Sequence, residues 1–249
     1  MSQYELFKRE CEQEILDLGH DHSLKDASKD WMNKANAKKY SYHFEWMGRP
    51  IIQYPQDIMA MQELIWQVQP DLIIETGIAH GGSLIFFASM LELNAACGGP
   101  NDAEVLGVDI DIRPHNREAI EAHPMFRRIS MIQGSSIAPE IIAQVQARAA
   151  DKKRILISLD SNHTHDHVLA ELQAYASLTS VGSYCVVFDT VIEDMPAEMF
   201  PDRPWGPGDN PKTALRSYLK EHPEFEIDRQ INNKLLISVA PDGYLKRMK

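Results

Sequence analysis

The stretch that decides the fold is Asp71-Leu-Ile-Ile-Glu-Thr-Gly-Ile-Ala-His-Gly-Gly-Ser83, a short apolar run ending in a glycine-rich turn. An apolar run of this length, bounded by glycines, is typical of a buried β-strand. The residues that follow, 84–93, have the composition of a buried helix. This strand–turn–helix unit predicts an α/β fold, in which glycines at the strand exit let the backbone approach a ligand.

The same unit recurs towards the C-terminus. Four more apolar runs are predicted strands, at 105–110, 130–134, 154–160 and 184–189, with helical patterns between them at 116–122, 139–149 and 167–176. Continuous apolar strands separated by helices predict a parallel sheet covered on both faces. Residues 225–231 and 234–240 are predicted as two further strands, joined by Asn232-Asn233 in a tight antiparallel hairpin. Five parallel strands closed by such a hairpin resemble the class I methyltransferase layout.

The first 70 residues differ from the rest. Helical patterns at 4–18 and 55–68 flank an aromatic stretch, so we expect residues 1–70 to form a helical N-terminal extension and residues 71–249 the main domain. The extension either forms an oligomer interface or covers a substrate, and the sequence does not choose between these roles. Residues 195–211 are rich in proline and glycine and are expected to form a lid. The aromatic residues of the extension are Tyr40, Tyr42, Phe44 and Trp46.

Composition excludes several classes of protein. Apolar residues make up 44% and charged residues 24%, as in ordinary globular chains. Acidic residues outnumber basic ones by 36 to 25, which argues against general binding of nucleic acid or anionic membrane. Cys11, Cys97 and Cys185 form no paired framework. The charged first residues lack the apolar core of a signal peptide, and no apolar stretch has the length of a membrane span. We therefore expect a cytoplasmic protein, and we expect it to form a homo-oligomer.

Polar residues at three successive strand ends predict a cofactor site. The first turn reads E-x-G-x-x-x-G-G instead of the dinucleotide pattern G-x-G-x-x-G, which favours S-adenosylmethionine (SAM) over a nicotinamide. Asp109 ends the second strand, where an acid accepts hydrogen bonds from ribose hydroxyls, and Asp111 is the competing choice. Gln133 and Ser135 follow the third strand, where an adenine edge would lie.

The next two strand ends carry groups suited to chemistry. Asp160 and Asp189 stand at adjacent ends and are expected to converge on one divalent cation such as Mg²⁺. A bound cation would lower the pKa of a substrate hydroxyl. His163, three residues beyond Asp160, is a candidate general base. The run His163-Thr-His-Asp-His167 also raises the alternative of a two-histidine, one-carboxylate iron site.

Four segments together resemble the family of cephalosporin hydroxylases and rhamnosyl O-methyltransferases. They are IIQYPQDIMAMQELIWQVQPDLIIETGIAHGGSL, VLGVDIDIRPHN, LDSNHTHDHVLAELQAYASLTSVGSYCVVFDT and RPWGPGDNP, and the resemblance spans residues 48–240. It implies a SAM-dependent, Mg²⁺-assisted O-methyltransferase with a Rossmann-like fold, and many members of the family act in polysaccharide or glycolipid synthesis. The cofactor residues that it implies are Glu75, Gly77, Gly81, Ser83 and Asp109.

The resemblance also implies metal ligation by Asp160 and by the acid that ends the fifth strand. Many relatives carry an acidic pair there, whereas this chain has Phe188-Asp189, so one ligand is missing or is replaced by Thr190, Glu193 or Asp194. More distantly similar catechol O-methyltransferases place a lysine base three residues after the first metal-binding Asp, the position of His163. Taken together, these features predict methylation of a hydroxyl on a sugar or sugar-bearing acceptor. Two alternatives stay open: an oxidoreductase or hydroxylase on the same fold, and an inactive methyltransferase-like binding subunit, which only the missing acid supports.

Overall fold

The computed structural model describes all residues 1–249 and opens with a mainly helical region. The helices of this region are α1 (Gln3–His20), α2 (His22–Asn36) and α3 (Pro55–Val68), and between the last two lies a hairpin of β1 (Phe44–Trp46) and β2 (Arg49–Ile51). The hairpin was not predicted. Met47 and Gly48 at its tip both have positive φ, as a two-residue turn of this kind requires.

Seven strands form the central sheet. They are β3 (Leu72–Thr76), β4 (Glu104–Asp109), β5 (Ile129–Gln133), β6 (Ile155–Leu159), β7 (Tyr184–Val187), β8 (Phe225–Ile227) and β9 (Tyr244–Arg247). Their order is β5-β4-β3-β6-β7-β9-β8; β3 to β7 are mutually parallel, and β9 is antiparallel to both of its neighbours. The predicted parallel sheet with an antiparallel pair at its end is confirmed.

Helices cover both faces of the sheet. Between the strands lie α4 (Gly82–Ala96), α5 (Pro114–Glu121), α6 (Pro139–Ala149), α7 (His165–Tyr175), α8 (Pro211–Tyr218) and α9 (Arg229–Leu235). Alternation along β3 shows the two layers: Ile73 joins the core under α3 and α4, whereas Leu72 and Ile74 join the core under α6, α7 and α8. Such two-sided burial explains why the strands read as continuous apolar runs.

The C-terminal strands were predicted with the wrong bounds. Residues 234–240 are not a strand, and Asn232-Asn233 lies inside α9 instead of forming a turn; β9 begins only at Tyr244. The physical reason is a contact with an acidic residue that lies far away in the sequence. Asp57 on α3 is fully buried and accepts hydrogen bonds from the Ser238 hydroxyl (2.6 Å) and the Val239 amide (2.9 Å). This contact keeps the apolar segment beside α3 instead of in the sheet.

Topology places the ligand crevice between β3 and β6. The chain moves from β3 outward through β4 and β5, then returns to β6 on the other side, so neighbouring connections leave the sheet in opposite directions at this point. Open α/β sheets bind ligands at the carboxyl ends of the strands there. The backbones meet closely: Gly77 has φ +92, and a Cβ on it would lie 1.9 Å from the Asp160 carbonyl oxygen. Only glycine permits this approach.

Candidate active site

Asp109 organises the loop between β3 and α4. One of its carboxylate oxygens accepts hydrogen bonds from the amides of Ile78 (2.8 Å) and Ala79 (3.2 Å), and the other accepts from the Asp111 amide (2.9 Å). The loop residues Gly77, Ala79 and Gly81 have positive φ. Asp109 therefore fixes this strained loop against the end of β4 before any ligand binds, and the exposed Asp111 carboxylate lies near Arg113 (3.9 Å).

Glu75 lies at the inner end of that loop and is only 2% exposed. Its carboxyl group accepts a hydrogen bond from the Ser83 hydroxyl on α4 (2.9 Å). Burial raises the pKa of Glu75 to about 8, and the nearby negative charge of Asp109 adds to this effect. Since Ser83 is its one side-chain donor, the carboxyl group has capacity for a cationic ligand group. The Glu75 carboxyl group and the Ser83 hydroxyl fit the ammonium group of a SAM molecule bound over the loop.

The residues predicted to flank adenine lie at the exit of β5. The amide oxygen of Gln133 accepts a hydrogen bond from Arg117 (3.2 Å), and Ser135 is half-buried in the following turn. The next residue, Ser136, is buried and donates to Glu171 on α7 (2.5 Å). Sequence reasoning missed this last contact, which needs the packing of α7 against the strand exit.

Glu171 joins two of the loops around the crevice. It is completely buried, and one of its oxygens accepts from both Ser136 (2.5 Å) and Ser161 (2.7 Å), the residue after Asp160. The ring of His167 lies 3.0 Å from the Ser136 hydroxyl. His167 thus has a structural role, and the pair of serines connects the β5 exit to the β6 exit.

Asp160, His163 and Asp189 converge, as predicted. Their ligand atoms lie within 4.8 Å of one another, and His163 Nε2 is 3.2 Å from an Asp189 carboxylate oxygen. Burial raises the pKa of Asp160 well above its usual range, and the negative charges of Asp189 and Glu75 raise it further. No lysine or arginine forms an ion pair with either aspartate. Two opposed carboxylates beside an imidazole suit a divalent cation, which would relieve their repulsion.

Other predicted ligands and histidines lie elsewhere. The Thr190 hydroxyl donates to the Pro241 carbonyl oxygen (2.7 Å), and Glu193 accepts from the Gly208 amide (2.8 Å) and the Asn210 side chain (2.5 Å). Asp194 pairs with Lys212 (2.7 Å). None of these three replacement ligands joins the cluster, because each holds a neighbouring loop in place. His165 contacts Thr213 (2.8 Å), so the alternative of a two-histidine, one-carboxylate site is wrong.

Gln53, just before α3, contacts the cluster and was not identified from the sequence. Its amide nitrogen donates to Asp160 (3.0 Å), while its amide oxygen is buried without a partner. A buried amide oxygen without a partner, on a side chain that contacts the cluster, leaves one hydrogen-bond acceptor unsatisfied next to the site. No local pattern could have identified it, because Gln53 is 107 residues from Asp160.

Gln53, the glycine loop with Ser83, and the cluster of Asp160, His163 and Asp189 line one cleft of about 460 Å³, whereas Glu75, Asp109, Gln133 and Ser135 do not line it. Its floor contains the glycine loop and the cluster, one wall comes from the end of α2 and the residues after it, and the other comes from the proline-rich segment predicted as a lid. Trp205 of that segment meets the ring of His163 edge to face, with centroids 4.8 Å apart. The Asn36 side chain accepts from the Tyr54 hydroxyl (2.5 Å) and approaches the Met195 sulfur (3.7 Å), which connects the two walls.

Several known proteins are similar to this chain in sequence. The model of the family described as rhamnosyl O-methyltransferase/CmcI matches residues 38–248. The rhamnosyl O-methyltransferase of Mycobacterium tuberculosis is 33% identical over 207 residues, which cover 81% of this chain and 77% of the relative. The corresponding Mycobacterium leprae enzyme is 31% identical over 204 residues, 81% of this chain and 82% of its own.

Solved structures show the same fold. CmcI in a Mg-SAM form has a TM-score of 0.58 at 17% sequence identity, covering 84% of this chain and 78% of that one. An O-methyltransferase from Bacillus cereus in complex with SAH has a TM-score of 0.51 at 15% identity, covering 83% and 82%. These similarities establish a Rossmann-like methyltransferase fold. In addition, no helix of the protein is both long and apolar enough to cross a membrane.

Proposed function

The chain belongs to the rhamnosyl O-methyltransferase/CmcI family of SAM-dependent O-methyltransferases, and we propose that it methylates a hydroxyl of a sugar or sugar-bearing acceptor with the help of a divalent cation. The observation that carries this proposal is a shared cleft: the glycine loop with Ser83 and the cluster of Asp160, His163 and Asp189 line the same cavity. A methyl donor on the loop and a hydroxyl at the cluster would therefore face each other.

On this proposal, each group of cofactor residues binds a different part of SAM, the methyl donor. Glu75 would hold its ammonium group, and the loop from Gly77 to Gly81, fixed by Asp109, would hold its carboxylate and ribose side. Gln133 and Ser135 would flank the adenine. Because Asp109 already accepts from two loop amides, it would contact the ribose through its remaining lone pairs. Methyl transfer is a displacement at carbon, so holding both reactants in line supplies much of the rate.

Asp160 and Asp189 would hold the cation, and Gln53 would orient Asp160. When bound, the cation supplies Lewis acidity that lowers the pKa of the acceptor hydroxyl. His163 would accept the proton of that hydroxyl while its oxygen forms a bond to the methyl carbon and the carbon–sulfur bond breaks. Asp189, 3.2 Å from His163 Nε2, would stabilise the resulting imidazolium. Thr190 and Glu193 hold loops that surround the site.

The sugar acceptor is supported by the relatives named above, whose activity is rhamnosyl O-methylation, and by the polar and aromatic lining of the cleft. We further propose that residues 1–70 are an extension which supplies one wall of the acceptor site and that residues 71–249 are the catalytic domain. A role in polysaccharide or glycolipid synthesis, a cytoplasmic location and a homo-oligomeric state remain predictions from the sequence.

Calorimetric titration tests the proposal. SAM and its demethylated product should bind the purified chain, and Mn²⁺ or Mg²⁺ should bind in a manner that Asp160→Asn abolishes. Incubation with SAM carrying a deuterated methyl group and a panel of neutral and acidic glycosides, rhamnosides included, should then give an O-methylated sugar from at least one member by mass spectrometry. Absence of SAM binding, or oxygen-dependent turnover with iron in place of methyl transfer, would contradict the proposed function.

A further inference from the structure

Charges are unevenly distributed in the cleft. Its acidic groups, Asp160 and Asp189, lie at the bottom, whereas Lys39 and Arg203 lie at the rim on opposite walls. Both rim residues are exposed, and neither has a carboxylate within ion-pair distance. The chain as a whole carries eleven more acidic than basic side chains. Two unpaired cationic side chains at the rim of one cavity therefore differ from the negative net charge of the protein.

Arg203 is connected to His163 through the ring of Trp205, which contacts both side chains. Its guanidinium lies over the ring of Trp205 at 5.2 Å, and the same ring meets His163 at a centroid distance of 4.8 Å. The guanidinium is therefore no further from the His163 ring than the sum of these two distances, a separation that one hexose residue and its substituent span. Stacking restricts a planar guanidinium without using its hydrogen-bond donors, which stay free for a ligand.

The segment that carries Arg203 is anchored. Glu193 accepts hydrogen bonds from the Gly208 amide (2.8 Å) and the Asn210 side chain (2.5 Å), and it lies 3.5 Å from Arg216. The Arg203 amide itself bonds to the Phe200 carbonyl oxygen (3.3 Å). These contacts fix the backbone of the segment on both sides of Trp205, and the ring of Trp205 lies under the exposed Arg203 guanidinium at the rim of the cleft.

Lys39 completes the arrangement from the other wall. It follows α2 and has φ +55, a left-handed conformation that is unfavourable for a residue with a side chain. Backbone strain of this kind is concentrated at functional sites. Two cations from segments more than 160 positions apart in the chain thus converge on the mouth of one cleft.

We propose that the acceptor is an acidic sugar, with a carboxylate or phosphate close to the hydroxyl that is methylated, and that Arg203 binds this anion with help from Lys39. The inference rests on the proposed methyltransferase function and specifies its substrate class. A guanidinium matches the planar carboxylate or phosphate group with two parallel hydrogen bonds. A neutral sugar would cover both cations without replacing their hydration, and this cost selects against it.

Binding of three probes to the full chain tests this substrate class. In the presence of S-adenosylhomocysteine and Mg²⁺, the affinities of methyl glucuronide, glucose 1-phosphate and the neutral methyl glucoside are measured by calorimetry and saturation-transfer NMR. We expect one of the anionic probes to bind at least about tenfold more tightly than the glucoside. If methyl glucuronide binds more tightly than glucose 1-phosphate, the recognised anion is a carboxylate; in the opposite case it is a phosphate. The preference should weaken at high salt, because the rim is exposed.

Variants of the two rim residues test whether these residues cause the preference for anionic probes. Arg203→Gln should remove most of it, Lys39→Gln should reduce it less, and Arg203→Lys should retain part of it because the charge remains while the planar fork is lost. The matched control is Arg148→Gln, which removes the same charge from an exposed position on α6. Equal binding of neutral and anionic probes, no binding of any probe, or the same loss in Arg203→Gln and Arg148→Gln would overturn the proposal. Failure of S-adenosylhomocysteine to bind in the same titration would instead contradict the methyltransferase function itself.

Discussion

The two halves of the cleft are built in different ways. On the cofactor side, carboxyl groups already accept hydrogen bonds from the protein: Asp109 accepts from three backbone amides, and Glu75 accepts from the Ser83 hydroxyl. On the acceptor side, Asp160 and Asp189 face each other without a lysine or arginine, and the buried oxygen of Gln53 has no partner. The first half is organised before a ligand arrives, whereas the second half is completed only by what it binds.

This difference indicates where substitutions act. On the proposed function, a change on the acceptor side removes groups that would contact the cation or the reacting hydroxyl, so it should reduce turnover strongly. A change on the cofactor side alters a prearranged scaffold, so it should affect stability and cofactor affinity together. The four predictions below test this division.

Asp160→Ala should have the largest effect. Removing one of two cation ligands forfeits several kcal/mol of transition-state stabilisation, so we expect turnover to fall on the order of 10³-fold or more. Mn²⁺ affinity, measured by calorimetry, should fall with it. Asp166→Ala is the matched control, because Asp166 is an exposed acid six residues further along. Undiminished turnover in Asp160→Ala would remove the cation from the mechanism.

Glu75→Gln should change the pH dependence of stability. Burial raises the pKa of Glu75 from 4.5 to about 8, so in this range the folded protein binds a proton that the unfolded chain has released. Stability therefore falls as the pH rises from 4.5 to 8, by on the order of 4 kcal/mol for this group. Glutamine cannot ionise and avoids that loss.

Urea unfolding of both proteins isolates the contribution of Glu75. The variant should match the wild type at pH 5 and exceed it by a few kcal/mol at pH 9. Its affinity for SAM should decrease, because glutamine cannot give up a proton to become an anionic partner of the bound ammonium group. The exposed Glu140→Gln on α6 should show no such divergence. A constant difference between wild type and Glu75→Gln at both pH values would contradict the proposed burial effect.

His163→Gln separates two roles of the imidazole. If His163 is the general base, kcat should fall by about 10²-fold while the affinities for Mn²⁺ and SAM stay unchanged. His115→Gln, an exposed histidine on α5, provides the comparison. A parallel loss of Mn²⁺ affinity in His163→Gln would show that the imidazole is a third metal ligand instead of a base.

Much of this fold could be predicted because its determinants are local. The helices Pro55–Val68 and Pro139–Ala149 have the predicted bounds, and the five parallel strands lie within a residue or two of theirs. The convergence of Asp160, His163 and Asp189 also followed from the sequence, since neighbouring parallel strands end at the same edge of a sheet. Periodicity and strand-end position were sufficient in each case.

Features that depend on long-range contacts could not be predicted. Residues 234–240 have a strand-like composition, yet Asp57 draws Ser238 and Val239 to α3 across more than 180 positions of sequence. The sequence position of Glu193 suggested a metal ligand, but its carboxylate accepts a hydrogen bond from the Gly208 amide. Gln53 belongs to the site only because the extension folds over the sheet. Gln53 and Glu193 depend on such contacts, which explains why local sequence patterns did not assign them correctly.

Ser136 and Ser161 give the smallest expected effect and the sharpest comparison, because one lies on each side of the crevice and both donate to the same oxygen of Glu171 (2.5 and 2.7 Å). Replacing either serine by alanine removes a hydrogen bond from a buried carboxyl group, at a cost of about 1–2 kcal/mol in unfolding free energy. Ser135→Ala, whose hydroxyl lacks such a contact, should leave stability unchanged.

The two alanine variants should nevertheless differ in binding. Ser136→Ala loosens the β5 exit, so it should weaken SAM affinity, whereas Ser161→Ala loosens the residue beside Asp160 and should weaken Mn²⁺ affinity instead. Because the serines share one acceptor oxygen, their stability effects should be non-additive in the double variant. Strictly additive energies, or equal effects on both ligands, would show that Glu171 does not couple the two halves of the cleft and that each half is held by its own strand alone.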